Sequence, residues 1–159
     1  MQKLILAVDP GYDRCGVAIV DASAGVGSEK LVFSHCIETD KKKDFYQRLL
    51  DIADFAEALM KKYDITHFAI EKLFFNTNQK TASKVSEVRG VLLYLARKYE
   101  LTILEYTPLQ IKLAITGNGR ADKRAVYEML PKIIKIEKNI KLDDEFDAIA
   151  CGLTASVVD

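Results

Sequence analysis

The chain has 159 residues, 49% of them hydrophobic and 29% charged. That balance suits one folded domain over residues 1–159 with a sizeable core, and it argues against global disorder. Lys and Arg total 23, as do Asp and Glu, which excludes a polybasic mode of binding but leaves room for a local basic face. No apolar run approaches the ~18–20 residues that span a bilayer. The first apolar stretch meets Asp9 too early for a signal peptide. Cys15, Cys36 and Cys151 are dispersed and make no Cys-x-x-Cys pair. They read as buried reduced thiols of a cytoplasmic protein rather than a disulfide framework or a zinc site.

In chain order, Leu4–Val8 is a buried strand candidate that ends at the turn signal Pro10-Gly11. Cys15–Val20 and Leu31–Ile37 are two further strands, so the first three form a meander. The period then changes. Phe45, Leu49, Ile52, Ala53, Ala56 and Leu59 recur at helical spacing and predict an amphipathic helix over Lys43–Lys62. His67–Ile70 is a short buried strand, Thr81–Tyr99 a long helix and Leu101–Tyr106 a fifth strand. Leu109–Ile115 and Lys123–Leu130 are helical, with Pro131 expected to break or kink the second, and Asp143–Val157 is a final helix. Three strands followed by strands alternating with helices predict an α/β fold: a mixed five-stranded sheet with helices on both faces. The first three strands pair antiparallel, and the fourth and fifth run parallel to the first.

Candidate chemistry gathers at strand and helix ends. Asp9 closes the first strand, where an Asp before Pro-Gly also starts a turn unaided. Glu71 closes the fourth strand and has Lys72 beside it as a possible partner. If those strands are parallel neighbours, the two carboxylates converge where open α/β sheets hold ligands. The segment Asp143-Asp144-Glu145-Phe146-Asp147 opens the last helix. Asp147 shares a helix face with both Asp144 and Asp143, so spacing alone leaves the pair open. Acidic residues in a first turn also answer the helix dipole. A set of hard oxygen donors suits Mg²⁺ or Mn²⁺ and not Zn²⁺. Two such ions are the usual apparatus of phosphodiester hydrolysis. Asp51 and Asp54 have the same spacing without a partner acid and serve as an internal control.

The zero net charge hides two basic segments. Residues 106–141 carry eight basic against three acidic side chains, and residues 79–98 carry five against one. Lys80, Lys84, Arg89, Lys112, Arg120 and Lys123 are the candidate DNA contacts within them, although Lys-rich helix faces are often simply solvated. Phe74, in a loop after Glu71, could stack on or wedge between bases, while Phe75 reads as returning to the core. His67, inside a strand, reads as structural.

These blocks together resemble the RuvC family of Holliday junction resolvases. The resemblance runs from Leu6-Ala7-Val8-Asp9-Pro10-Gly11 through Ala69-Ile70-Glu71-Lys72-Leu73-Phe74-Phe75 and Val88-Arg89-Gly90-Val91. It continues in Thr116-Gly117-Asn118-Gly119-Arg120-Ala121-Asp122-Lys123 and ends in Asp144-x-x-Asp147-Ala148-Ile149-Ala150. It implies an RNase H-like fold, a homodimer and metal-dependent cutting of four-way DNA junctions by paired nicks in strands of like polarity, in recombination and repair. It implies two Mg²⁺ per active site, with Mn²⁺ able to substitute, and a branch-migration helicase as a possible partner. It assigns Asp9, Glu71, Asp144 and Asp147 as catalytic acids and metal ligands, Lys112 and Lys123 as basic site residues, and Phe74 as the aromatic at the junction centre. The Thr81–Tyr99 helix becomes the expected dimer element.

Three features depart from the family pattern: Lys72 after Glu71, the charged Glu145 and bulky Phe146 between the paired acids, and the lack of a basic tail. Rival readings are an RNA-processing nuclease of the YqgF-like kind, a junction-binding module without catalysis, and an actin-like ATPase. The last needs two such domains.

Overall fold

A computed structural model of the chain describes residues 2–73 and 79–159. The strands are β1 (Leu4–Asp9), β2 (Arg14–Asp21), β3 (Lys30–Glu38), β4 (His67–Glu71) and β5 (Thr102–Tyr106). The helices are α1 (Phe45–Lys62), α2 (Gln79–Lys98), α3 (Pro108–Thr116), α4 (Lys123–Ile133) and α5 (Asp143–Val158). The five strands form one sheet in the order β3-β2-β1-β4-β5. β1 pairs antiparallel with β2 and parallel with β4, and β4 pairs parallel with β5. The mixed sheet expected from the sequence is thus the sheet observed.

Strand alternation sorts the core onto two faces. Leu4, Leu6 and Val8 of β1 join Phe68 and Ile70 of β4 on the face covered by Ile52 and Leu59 of α1 and Leu92 of α2. Ile5 and Ala7 join Ala69 on the other face, covered by Ile111 of α3, Leu130 of α4 and Ile149 and Leu153 of α5. Asp9 keeps the parity of Ile5 and Ala7, and Glu71 keeps that of Ala69. Alternation therefore aims both strand-end acids at the α3–α5 side.

Local chemistry sets the helix starts. Asp44 and Asp122 cap α1 and α4 by accepting from the N–H groups of Gln47 and Ala125, and Thr107 forms a capping box with Gln110 ahead of Pro108. α4 departs from expectation: it runs through Pro131 to Ile133. Proline is tolerated there because it falls in the last turn, where Ile134 N–H still closes on the Leu130 carbonyl at 3.0 Å. α5 lies directly on the sheet. A Cβ on Gly152 would stand 2.8 Å from Val20 Cγ2, so a larger residue would push this helix off β2. All three cysteines are buried and free. No helix among the described residues is long and apolar enough to cross a membrane.

Candidate active site

Asp9, Glu71, Asp144 and Asp147 line one cleft of about 430 Å³, together with Lys112, Lys123 and Tyr127. Three elements bring the acids there. β1 and β4 are parallel neighbours in which Val8 pairs with Ile70, so Asp9 and Glu71 end the two strands side by side. α5 supplies the other two from its first turn, close against β2. A Cβ on Gly16 would stand 1.8 Å from the Asp144 carbonyl oxygen, so only glycine admits this approach. A larger hollow of about 530 Å³ lies along edge strand β3, where Glu29 and Glu137 stand among Lys30, Lys135 and Lys138; the four converging acids lie in the smaller cleft.

The helix pair left open by spacing resolves here. Asp144 lines the cleft, whereas Asp143 is exposed and does not. The control behaves as a surface residue: Asp51 accepts from Lys43 Nζ at 2.6 Å and Gln47 Nε2 at 3.0 Å on the outside of α1. His67 sits at the far end of β4 from Glu71, with its Nδ1 2.7 Å from Thr66 Oγ1. Lys72 is exposed and borders a different hollow, with Ser86, Arg89 and Glu105. It is not the partner of Glu71.

The electrostatics are those of crowded, partly buried acids. Burial first, then the charges of Asp147, Asp144 and Glu71, push Asp9 up to about 8 against the opposing charge of Lys123. Burial raises Glu71, with Asp147 adding to it and Lys123 and Lys112 opposing. Burial also raises Asp147, against the hydrogen bond from Tyr127 and the charge of Lys123. Burial pulls the Lys123 ammonium down, but Asp147, Asp9 and Asp143 outweigh it, so its pKa is raised overall.

The helix acids are held by neighbours rather than by each other. Tyr127 donates its O–H to Asp147 Oδ1 at 2.8 Å, and Lys123 Nζ stands 3.4 Å from Asp147 Oδ2. Arg14 Nε stands 3.4 Å from Asp144 Oδ2, an ion-pair distance without hydrogen-bond geometry. That buried oxygen has no hydrogen-bond donor. Among the described residues no three His, Cys, Asp or Glu side chains are gathered as closely as the ligands of one ion. Tyr127 and Arg14 are the site residues that sequence reasoning missed. Tyr127 had a signal: four residues beyond Lys123 on α4, it shares that face. Arg14 had none, because only the fold brings the start of β2 beside α5.

The candidate DNA contacts divide. Lys112 and Lys123 border the cleft, and Lys123 is 71% exposed. Lys80 and Arg120 are exposed. Lys84 Nζ lies over the Tyr12 and Phe45 rings, 5.1 and 5.7 Å from their centroids. Arg89 is engaged inside the fold: its side chain is 16% exposed, pairs with Glu105, and places Nε 3.4 Å from the Glu71 carbonyl oxygen. Phe74 and Phe75 lie outside the described residues.

The fold and the acid-lined cleft together define an RNase H-like protein, with carboxylates delivered by two adjacent central strands and a covering helix. The family profile described as "Crossover junction endodeoxyribonuclease RuvC" matches residues 5–155, and the chain belongs to the RuvC family. It is 40% identical over 150 residues to the crossover junction endodeoxyribonuclease RuvC of Brachyspira hyodysenteriae, covering 94% of this chain and 91% of that one. The structure of Thermus thermophilus RuvC in complex with Holliday junction substrate matches with a TM-score of 0.86 at 25% identity, over 96% of this chain and 92% of that one. The yeast mitochondrial Holliday junction resolvase Ydc2 shares the fold, with a TM-score of 0.67 at 12% identity, over 97% of this chain and 76% of that one.

Proposed function

We propose that this chain is a divalent-metal-dependent endonuclease that resolves four-way DNA junctions by paired nicks in strands of like polarity. One observation carries the reading. Four carboxylates converge in one cleft beside Lys112 and Lys123, and the innermost, Asp9, is pushed up to about 8. That donor set fits a hard cation on two counts. Asp144 Oδ2 is buried without a hydrogen-bond donor, and Asp9 resists ionisation until positive charge arrives.

Asp9, Glu71, Asp144 and Asp147 are the residues that would hold Mg²⁺, or Mn²⁺ in its place, at two ions per site. Bound there, the metal supplies an activated water and neutralises charge on the leaving oxygen. The chain's own part is binding and positioning. Lys112 and Lys123 draw the phosphodiester backbone to the cleft. Tyr127 favours the ionised form of Asp147 by donating to it, against the burial that raises it. Lys80, Lys84 and Arg120 extend the basic track. Phe74 is proposed at the junction centre. Arg89 serves DNA binding only if it leaves Glu105.

A four-way junction is near-symmetric, so two identical sites on a homodimer suit it. The α1–α2 face supports such a pairing. Tyr46 and Tyr94 are 78% and 66% exposed, and they border an apolar hollow with Phe45, Leu49 and Val91.

The test incubates the protein with a synthetic four-way junction in Mg²⁺ or EDTA, beside Asp9→Asn. Linear duplex and single-stranded RNA are the controls, and sedimentation reports the oligomer. Metal-dependent paired nicks confined to the junction, lost in Asp9→Asn with binding retained, establish the reading. Binding without cutting by the wild type, or cutting of RNA instead, overturns it.

A further inference from the structure

α5 carries two of the four acids, yet no side chain caps its start. Its N-cap, Leu142, makes no side-chain hydrogen bond, unlike Asp44, Thr107 and Asp122 at the other helices. Something outside the helix must therefore set how its first turn is rotated. A helix advances by about 100° per residue, so Asp144 and Asp147 lie about 60° apart on one face. Glu145 and Phe146 then fall about 130° to either side of the centre of that face.

Both intervening residues are gripped. Glu145 is buried, 6% exposed. It accepts from Ser34 Oγ of β3 at 2.6 Å and pairs with Lys138 of the α4–α5 loop. Lys138 Nζ closes the triangle by donating to the Ser34 carbonyl oxygen at 2.6 Å. On the opposite flank Phe146 stacks on Tyr127 of α4, with centroids 5.0 Å apart and planes at 21°. The same Tyr127 bonds Asp147. A buried carboxylate tied to two separate segments costs desolvation, and its gain is a fixed geometry.

We propose that Glu145 is a positioning residue for the metal site. The Ser34–Glu145–Lys138 clamp holds α5 at the rotation that turns Asp144 and Asp147 toward Asp9 and Glu71, and the Phe146–Tyr127 stack braces the other flank. Rotation of the first turn would separate the helix acids from the strand acids and weaken metal binding without touching a ligand. This rests on the metal-dependent reading above.

The test titrates MgCl₂ against wild type, Glu145→Ala and the double variant Glu145→Met/Lys138→Met. It reads the rise in Tm without DNA and, separately, junction cleavage. In Glu145→Ala the Mg²⁺ concentration for half the thermal shift rises about tenfold, the usual scale for residues that orient metal ligands. The cleavage midpoint rises with it. The double variant removes the buried Glu145 carboxylate together with its half-exposed Lys138 partner and regains Tm, since an apolar side chain in place of the carboxylate leaves no unpaired buried charge. Its Mg²⁺ midpoint nevertheless stays raised. If Glu145→Ala does not fold, the double variant carries the test alone. A midpoint within about twofold of wild type, or one that recovers along with Tm, overturns the proposal by making the clamp merely structural. A wild type without any Mg²⁺-dependent shift overturns the metal reading and this inference together.

Discussion

The four acids reach the cleft by two different routes. Asp9 and Glu71 end adjacent parallel strands, and backbone register alone places them: Val8 pairs with Ile70, and alternation turns the next residues to one face. Asp144 and Asp147 stand on a helix with no capping side chain, and their placement depends on Arg14, Tyr127, Lys123 and the Glu145 clamp. The first pair is fixed by hydrogen-bonded main chain, the second by the close approach of α5 to Gly16 together with side-chain contacts. Substitutions around the strand pair should therefore change charge and chemistry with little change of geometry. Substitutions around the helix pair should change geometry first.

The largest effect is expected at Asp9. Asp9→Asn should lower junction cleavage by about a thousandfold or more while leaving the cleft's shape intact. It should also stabilise the metal-free protein. Asp9 is raised from 3.8 to about 8 in the folded state. The folded chain thus holds a proton that the unfolded chain has released, and stability present below pH 3.8 is lost as pH rises through about 8. Thermal melts in EDTA should show wild type losing Tm across that window and Asp9→Asn losing less. The difference should reach a few kcal/mol at most. Saturating Mg²⁺ should reverse the order, since the ion binds the ionised acid. Equal pH slopes for the two proteins would show that Asp9 is not the crowded group.

The helix pair gives the next contrast. Asp144→Asn should cost about a hundredfold or more in cleavage, whereas Asp143→Asn should stay within about twofold and lose only a dipole contribution of about 0.3–1 kcal/mol. Comparable losses from both would mean that α5 rotates in the complex with substrate. Lys123→Ala should cost about tenfold to a hundredfold in cleavage, less than Asp9→Asn or Asp144→Asn, and weaken the salt dependence of junction binding. An unchanged salt slope would confine Lys123 to its partner Asp147.

The same contrast explains what could be read in advance. A strand has a period of two and a fixed register, so a carboxylate at the end of an apolar run announces its own location. The mixed five-stranded sheet and its strand directions follow from local pattern in this way, and the convergence of Asp9 with Glu71 follows once β1 and β4 are neighbours, as the structure has them. A helix start leaves rotation open. Spacing could not choose between Asp143 and Asp144; the choice needed the resemblance to a family, and in the structure Asp144 lines the cleft while Asp143 is exposed. Lys138 and Arg89 counted as basic surface in the sequence, yet both turn inward to acids that are distant along the chain. Charge counts cannot report such pairings.

The smallest predicted effect tests whether side-chain contacts hold the helix pair. Tyr127→Phe keeps the ring that stacks on Phe146 and removes only the O–H that donates to Asp147 Oδ1. Burial already raises Asp147, and this hydrogen bond opposes the rise. Its loss moves Asp147 further up, so a larger share of it is protonated at a given pH. Protons and metal compete for the same oxygens. Tyr127→Phe should therefore need several-fold more Mg²⁺ for cleavage at the acidic end of the working range, and the deficit should close as pH rises. A deficit of the same size at every pH would mean that the hydroxyl sets the position of α5 rather than the charge of Asp147. No deficit at any pH would leave the stacked ring as the whole contribution of Tyr127, with Lys123 alone steadying the acid.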